Sequence, residues 1–363
     1  MTGDPEGYSI GPWRIASRTV LAPMAGVTDR PFRVLCRRFG AGLAPSEMIT
    51  ADQSLWHTTK TRSRMNHEGE PEPRVVQLAG NDPRQLADAA RANVDLGAQI
   101  IDINMGCPAK KVYGKLCGSA LLGDEALVGR ILEHVVQSVA VPVTVKIRTG
   151  IDRSNVNALQ ISRIAAQSGV RAIAVHGRTR ADFYEGQAEY DTIRDICAEA
   201  AIPVIANGDI DSAEKACSVL DFTHATAVMI GRAAHGSPWI FREVNSFLES
   251  GKKSAPLLRT QIRDIILEHI TALYAFHGEA SGVRIARKHL GWYCQQHTDT
   301  KDFRSQLMAA ESSSVQFAVT AACFGEWSDN ENNSLVQERA NAGNDSEGRQ
   351  DRLDQEDQQP RRH

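Results

Sequence analysis

Eight short runs of β-branched and apolar residues recur along the first 232 residues of the chain. They are TVLAPM (19–24), LAPSEM (43–48), RVVQLAG (74–80), IIDIN (100–104), PVTVKI (142–147), AIAVHG (172–177), PVIANG (203–208) and AVMIGR (227–232). Between most of them lie stretches with apolar residues at i, i+3 and i+4, such as DPRQLADAARANVDLGA and NALQISRIAAQSG. These open with Asp, Asn or Pro and close with Gly, as amphipathic helices do. Eight strand–helix alternations over about 210 residues predict an α/β fold of the parallel (β/α)8 TIM-barrel type. A doubly wound sheet is the structural rival, but it seldom needs eight strands, and no G-x-G-x-x-G follows the first run.

After Trp239 the pattern changes. RTQIRDIILEHITALYAFHG, GVRIARKHLGWYCQQH and DFRSQLMAAESSSVQFAVTAACFG all carry helical periodicity. They predict three or four helices in a small all-helical C-terminal domain, reached through SGKKSAP (250–256). From Glu326 onward polar and charged residues dominate, which predicts disorder. The expected organisation is a barrel over residues 1–249, a helical domain over 250–325 and an acidic tail over 326–363.

The chain has 363 residues, 42% of them hydrophobic, and no apolar run approaches the ~18 residues a membrane span needs. Its N-terminus lacks the basic start and apolar core of a secretory signal. The seven cysteines are scattered, odd in number and without a C-x-x-C pair, which speaks against a disulfide framework, zinc or an iron–sulfur cluster and for a reducing cytoplasm. No metal site is expected. The net charge of −3 would argue against a nucleic-acid partner, but it is unevenly spread. Residues 326–363 hold 10 acids against 5 Lys/Arg, whereas residues 252–304 hold 9 Lys/Arg against 5 acids. The helical domain is therefore locally basic, as an ordinary solvated face or a phosphate-binding one would be.

In a TIM barrel, chemistry gathers at the C-terminal ends of the strands. Those ends carry Pro23 and Met24, Glu47, Gln77, Asn104 followed by Cys107, Lys146, His176, Asn207 with Gly208, and Gly231 with Arg232. Each alone has an innocent explanation; together they predict one polar pocket. Cys107, between Gly106 and Pro108, sits where a buried strand meets the mouth, which is no place for a packing cysteine. The last two strand ends, NGD and GRAAHGSPWIF, offer glycine backbone N–H groups and Arg232 to an anion, the usual phosphate site of this fold. Gln77 and Asn104 offer amides to a pyrimidine-like edge, and Lys146 can offset negative charge on a reduced ring. This set suits FMN better than pyridoxal phosphate, which stays open on the residues alone.

APMAGVTDRPFR, VVQLAG, DINMGCPAKKV, VTVKIRTG, VHGRTRADFYEG, IPVIANGDI and MIGRAAHGSPWIF, in that order, resemble the flavin-dependent tRNA-dihydrouridine synthases. The likeness is greatest to their bacterial B branch. It extends over roughly residues 10–310 and includes RIARKHLGWY. It implies that FMN, reduced by NADPH, passes hydride to C6 of a tRNA uridine, and that Cys107 protonates C5. A thiol is largely protonated near neutral pH and small enough to act beside a stacked base. The resemblance assigns Lys146 and His176 to the flavin and its pocket, and the strand-end reading adds Pro23, Met24, Gln77, Asn207, Gly208, Asp209, Gly231 and Arg232 to the cofactor site. The resemblance assigns Asn104, Arg148, Arg178 and Tyr184 to the uridine, in a basic and aromatic loop suited to a nucleotide taken out of its stack. Arg284, Arg287 and Lys288 of the helical domain would meet the tRNA backbone near the D-loop and elbow. Position 17 is the expected uridine, no protein partner is implied, and a monomer is expected.

Two features stand apart from the resemblance. Cys117 is either a small filler or a thiol near enough to Cys107 for a disulfide, and the acidic tail has no assigned role. Two other functions remain open at this stage. One is an FMN oxidoreductase for a free pyrimidine, similar to dihydroorotate dehydrogenase, which leaves the basic helices unexplained. The other is a non-catalytic RNA-binding protein, which leaves Cys107, Lys146 and His176 unexplained.

Overall fold

The structure, a computed structural model, describes residues 7–109, 116–297 and 301–325. The acidic tail lies outside the described residues. The chain divides into two compact units, Met1–Ser254 and Ala255–His363.

The first unit is a TIM barrel. Its parallel strands are β1 (Thr19–Leu21), β2 (Ile49–Thr50), β3 (Val75–Ala79), β4 (Ile100–Met105), β5 (Val143–Arg148), β6 (Ala172–His176), β7 (Val204–Asn207) and β8 (Ala227–Ile230). They are paired in the order β1-β8-β7-β6-β5-β4-β3-β2. The chain leading into β2 joins the two ends of this row. Leu21 N–H donates to Leu43 C=O (2.9 Å), Gly42 N–H to Thr19 C=O (2.7 Å) and Ser46 N–H to Val75 C=O (2.9 Å). The second expected strand, 43–48, is thus reduced to a bridge at Leu43 and a short ladder from Ile49. Pro45 has no N–H to give a ladder, so the run cannot pair continuously.

Around the strands lie α1 (Arg30–Arg38), α2 (Thr59–Met65), α3 (Pro83–Asp95), α4 (Glu125–Ser138), α5 (Ala158–Gln167), α6 (Asp191–Glu199), α7 (Ala213–Thr223) and α8 (Ile240–Ser250). Most polar residues at the helix starts cap them, although Asn157, at the front of NALQISRIAAQSG, makes no side-chain capping bond. Asp29, Asp82, Asp124 and Ser212 each accept a hydrogen bond from the backbone N–H three residues on. Because α8 runs to Ser250, the unit boundary falls after Ser254, five residues beyond the expected 249.

Strand alternation layers the barrel interior. Val20, Val75, Ile100, Ala172, Ile205 and Ala227 form an apolar cluster with Tyr8, Ile10 and Ile15 of the N-terminal hairpin (Tyr8–Ile10 with Trp13–Ile15). Two residues further along the same faces stand Gln77, Asp102 and Thr144, in direct register on adjacent strands. Two further still come Asn104 and Lys146, again in register, and His176 beside Asn207. The interior thus passes from dry to polar toward the strand C-termini.

A buried ion pair ties the loop after β1 to the segment before β3. Arg33 of α1 is 1% exposed; it pairs with Glu70 and donates to Thr28 C=O at 2.7 Å. Burial alone would raise the Glu70 carboxyl, but His67 and Arg33 hold it below its ordinary range.

The second unit comprises α9 (Arg259–His277), α10 (Glu279–His297), α11 (Lys301–Ala309) and α12 (Ser313–Gly325). Its core includes Ile266, Ile270, Leu273, Val283, Ala286, Leu290 and Tyr293. Among the described residues, no helix is long and apolar enough to cross a membrane.

Glu70→Gln keeps the shape of the side chain but leaves the Arg33 charge buried without its counter-charge. Urea unfolding at pH 7 is expected to show a loss of about 3–5 kcal/mol with an unchanged slope. The difference from the parent should shrink as pH falls through the depressed Glu70 pKa, because a lowered carboxylate pKa stabilises only while the group is ionised. An unchanged midpoint would contradict a stabilising Arg33–Glu70 pair.

Candidate active site

The polar ring at the strand C-termini is closed by hydrogen bonds among its own members. Lys146 Nζ donates to Asn207 Oδ1 at 2.9 Å, and Asn207 Nδ2 donates to Met229 C=O at 2.8 Å. Burial and the neighbouring Arg148 charge lower the Lys146 ammonium from 10.5 to about 8, so it remains largely charged at neutral pH. His176 is pushed far below its ordinary range by burial and by the charges of Lys146, Arg148, Arg178 and Arg232. It is therefore a neutral imidazole. Arg178 Nη1 lies 3.3 Å from His176 Nε2, and a guanidinium can only donate, so the ring proton belongs on Nδ1.

Arg178 and Asp209 organise the next layer. The two side chains form a bidentate pair at 3.0 and 2.6 Å, and Arg178 also donates to the carbonyls of Glu185 and Gly186. Asp209 further accepts from Arg232 Nη2 at 3.0 Å and from Ala188 N–H at 2.8 Å. Burial would raise the Asp209 carboxyl, but these partners hold it below its ordinary range. Asp209 thus reaches the site through its two arginines. Its backbone φ of +44°, sparsely populated for a side-chain-bearing residue, is braced by those bonds. Gly208 before it has φ +127°; a Cβ there would lie 2.7 Å from Ala188 Cβ and 3.1 Å from His176 Cδ2. Only a glycine lets this backbone pass so close to His176.

The loop after β6 carries Tyr184, which is 56% exposed. Arg148 and Arg232 stack on it with guanidinium carbons 5.4 and 5.5 Å from its centroid. Arg148 is itself buried, donating to Gly106 C=O at 3.0 Å and Thr179 C=O at 2.8 Å. Arg178, expected on the substrate side, is buried and committed to Asp209 and the loop carbonyls; Tyr184 and Arg232 present the open surface.

Cys107 is held from both sides. Its N–H donates to Asn104 Oδ1 at 3.0 Å, and its C=O accepts from Ser119 N–H at 3.1 Å and Ser119 Oγ at 2.9 Å. Gly106 packs against the Lys146–Ile147 backbone. Cys107 and Cys117 are both free thiols. On the opposite side, Met24 N–H donates to Thr28 Oγ1 at 2.9 Å, and His235 Nε2 approaches Met24 Sδ at 3.3 Å. Pro23 lies in the same loop, half buried. Glu47 is occupied elsewhere, by Gly26 N–H and Arg64.

The strand-end reading passed over Asp102 and Thr144. Thr144 Oγ1 donates to Asp102 Oδ1 at 2.7 Å, Gln77 Nε2 to Asp102 Oδ2 at 2.8 Å, and Asn104 Nδ2 to Gln77 Oε1 at 2.8 Å. A lone carboxylate in the apolar run IIDIN, two residues before Asn104, was the available signal.

With the geometry in view, comparison with known proteins is decisive. The family model described as Dihydrouridine synthase (Dus) matches residues 20–327. The chain belongs to the dihydrouridine synthase family. It is similar to a protein named tRNA-dihydrouridine synthase B from Pseudomonas syringae pv. tomato, at 56% identity over 90% of this chain and 98% of that one. Proteins of the same name from Pseudomonas aeruginosa and Xanthomonas axonopodis pv. citri are 55% and 58% identical, over 88% and 87% of this chain and 97% and 95% of theirs. The chain is therefore a dihydrouridine synthase of the B branch.

In the second unit of this synthase, Arg284 and Lys288 are exposed one helical turn apart on α10, with Lys288 Nζ 5.8 Å from the Trp292 ring centroid. Arg287 is half buried and donates to Ala310 C=O at 2.9 Å, so it ties α10 to the end of α11 rather than extending the open stripe.

Gly208→Ala is expected to cost about 1–3 kcal/mol, through positive φ and the contact with Ala188 and His176. Thermal unfolding reads this directly, and an unshifted Tm would contradict the close approach.

Proposed function

We propose that the chain reduces the C5–C6 bond of a tRNA uridine to 5,6-dihydrouridine, with FMN as resident cofactor and NADPH as reductant. One observation carries the reading: Lys146, neutral His176, Asn207, Arg232 and the braced Cys107 loop converge at one end of the barrel. The names of the relatives point the same way.

The residues fit FMN. The tight Gly208 backbone and the 58%-exposed Arg232 guanidinium suit its phosphate, with Gly231 adjoining. Gln77 and Asn104 are bonded to each other and still keep one N–H each for a ring or base carbonyl. Pro23 and Met24 supply a wall, His176 a neutral ring-nitrogen donor, and Lys146 a positive charge. When bound and reduced by NADPH, the flavin supplies the hydride for C6.

The chain's own residues do the rest. Cys107, fixed by Asn104 and Ser119, delivers the proton to C5 from the thiol, so that hydride and proton together saturate one double bond. Lys146 offsets negative charge as it develops in a site where screening by water is weak. Tyr184, stacked by Arg148 and Arg232, packs against the uracil, and Asn104 donates to it. Arg178 keeps Asp209 and His176 in place. Arg284 and Lys288 contact tRNA phosphates near the D-loop and elbow, which makes binding salt-sensitive. The uridine is the one at position 17, and the protein works as a monomer in the cytoplasm.

Purified protein, NADPH and an unmodified tRNA transcript should yield dihydrouridine at one D-loop position. Cys107→Ala should lose about 10²-fold or more in rate, the usual worth of a positioned acid. Full turnover by Cys107→Ala would overturn the proton donor. Dihydropyrimidine formed from a free base, and none in tRNA, would instead favour the free-pyrimidine oxidoreductase.

Turnover should also fall as pH rises through about 8, where Lys146 loses its proton well before an ordinary lysine would. Lys146→Arg, which keeps its charge, should shift that fall upward; an unmoved profile would assign it to another group.

A further inference from the structure

The hydrogen bonds beneath Cys107 run in one direction. At the lower end, the Asp102 carboxylate accepts from Thr144 Oγ1 (2.7 Å) and from Gln77 Nε2 (2.8 Å). Asp102 accepts at both of its oxygens, so Gln77 turns its NH2 group toward Asp102 and its Oε1 toward Asn104. Asn104 must then turn its NH2 toward Gln77, at 2.8 Å, which leaves its Oδ1 facing the other way. There that oxygen meets two backbone donors, Gly106 N–H at 3.3 Å and Cys107 N–H at 3.0 Å. Strand register places these groups side by side: Gln77 is opposite Asp102, and Asp102 is opposite Thr144. Asp102 is 5% exposed, Gln77 1% and Asn104 7%, so water does not compete along the relay. Burial raises the Asp102 carboxyl above its ordinary range; the hydrogen bonds from Gln77 and Thr144 and the charge of Lys146, in register with Asn104, oppose that rise.

We infer that Asp102 is a positioning residue for the reaction: it sets the sense of the Gln77–Asn104 relay and thereby holds the Cys107 loop in its proton-delivering place. Were the relay reversed, Asn104 would turn its NH2 toward two N–H donors, and the Cys107 loop would lose its anchor. Polar groups in a low-dielectric interior make that reversal costly, and the carboxylate removes it as an alternative. The same polarity leaves Gln77 and Asn104 each with one N–H that has no protein partner among the described residues. Both amides therefore offer donors to whatever binds above them.

The inference rests on the proposed reaction, but its first readout does not depend on it. Asp102→Asn keeps the shape of the side chain and admits both senses of the relay. Iodoacetamide labelling of Cys107 in the purified flavoprotein, followed by peptide mass spectrometry with Cys107→Ala as blank, reads the loop without tRNA or NADPH. Asp102→Asn should change that labelling rate by about threefold or more, and kcat should fall by about tenfold while KM for tRNA stays within about twofold, as for a misplaced group outside the binding surface. The double variant Asp102→Asn/Gln77→Glu moves the carboxylate one step along the relay. The carboxylate, now at position 77, can accept both from the new amide at position 102 and from Asn104. Asn104 thereby regains its sense, and labelling should return toward the parent rate. A labelling rate in Asp102→Asn equal to the parent, or a double variant further from the parent than the single one, would overturn the inference. If Asp102→Asn does not accumulate as folded protein, Gln77→Met cuts the relay above an intact Asp102 and should alter labelling in the same way; an unchanged rate there would also overturn it. Altered labelling with no dihydrouridine formed by the parent would leave the loop assignment standing and sink the reaction instead.

Discussion

A parallel barrel can be polar inside only where its polar groups satisfy one another. In this chain that condition is met at one end and nowhere lower. Strand alternation sends every second residue inward, so a single register decides what shares a layer. Val75, Ile100 and Ala172 make a dry floor, and further up the same faces the chain places Gln77, Asp102, Asn104, Lys146, His176 and Asn207. Each of these except His176 is held by another member of the ring or by backbone, and His176 is held by Arg178. The pocket is preorganised because its lining is already hydrogen-bonded before anything enters it.

That closure sets the electrostatics. Burial and the four cationic side chains gathered near His176 keep its imidazole neutral, and burial and the Arg148 charge lower Lys146. Asp209 balances Arg178 and Arg232 from the side, while Asp102 anchors the relay from below. The excess is positive at the mouth and compensated deeper down, which suits a phosphorylated cofactor and an RNA substrate better than a neutral small molecule. The Cys107 loop sits between these regions, with its N–H groups tied to the deeper relay and its carbonyl tied to Ser119.

Much of this was legible in the sequence. Strand ends can be read from β-branched runs, and the barrel follows from their alternation with capped amphipathic helices. Most of the polar ends then fall into one ring without any structure, whereas Glu47 is taken up by Gly26 and Arg64. What escaped reading was how the groups use one another. The resemblance put Arg178 on the substrate side, but the structure buries it and commits it to Asp209, thirty-one positions away. Arg287 shares a helical stripe with Arg284 and Lys288, yet its guanidinium closes the end of α11. Asp102 was hidden inside an apolar run, where its partners Thr144 and Gln77 lie on two other strands. Long-range hydrogen bonds of this kind leave no local periodicity. The second expected strand failed for a local reason, Pro45, that was visible but outweighed by its apolar neighbours.

The most direct test of the account is anaerobic reoxidation of the reduced protein, followed by flavin absorbance in a stopped-flow mixer. Unmodified tRNA should reoxidise the flavin rapidly, while free uridine at the same concentration and a transcript with its D-loop uridines replaced should not. Equal reoxidation by free pyrimidine and by tRNA, or none by unmodified tRNA, would contradict the claim that this barrel mouth is built to reduce a tRNA uridine.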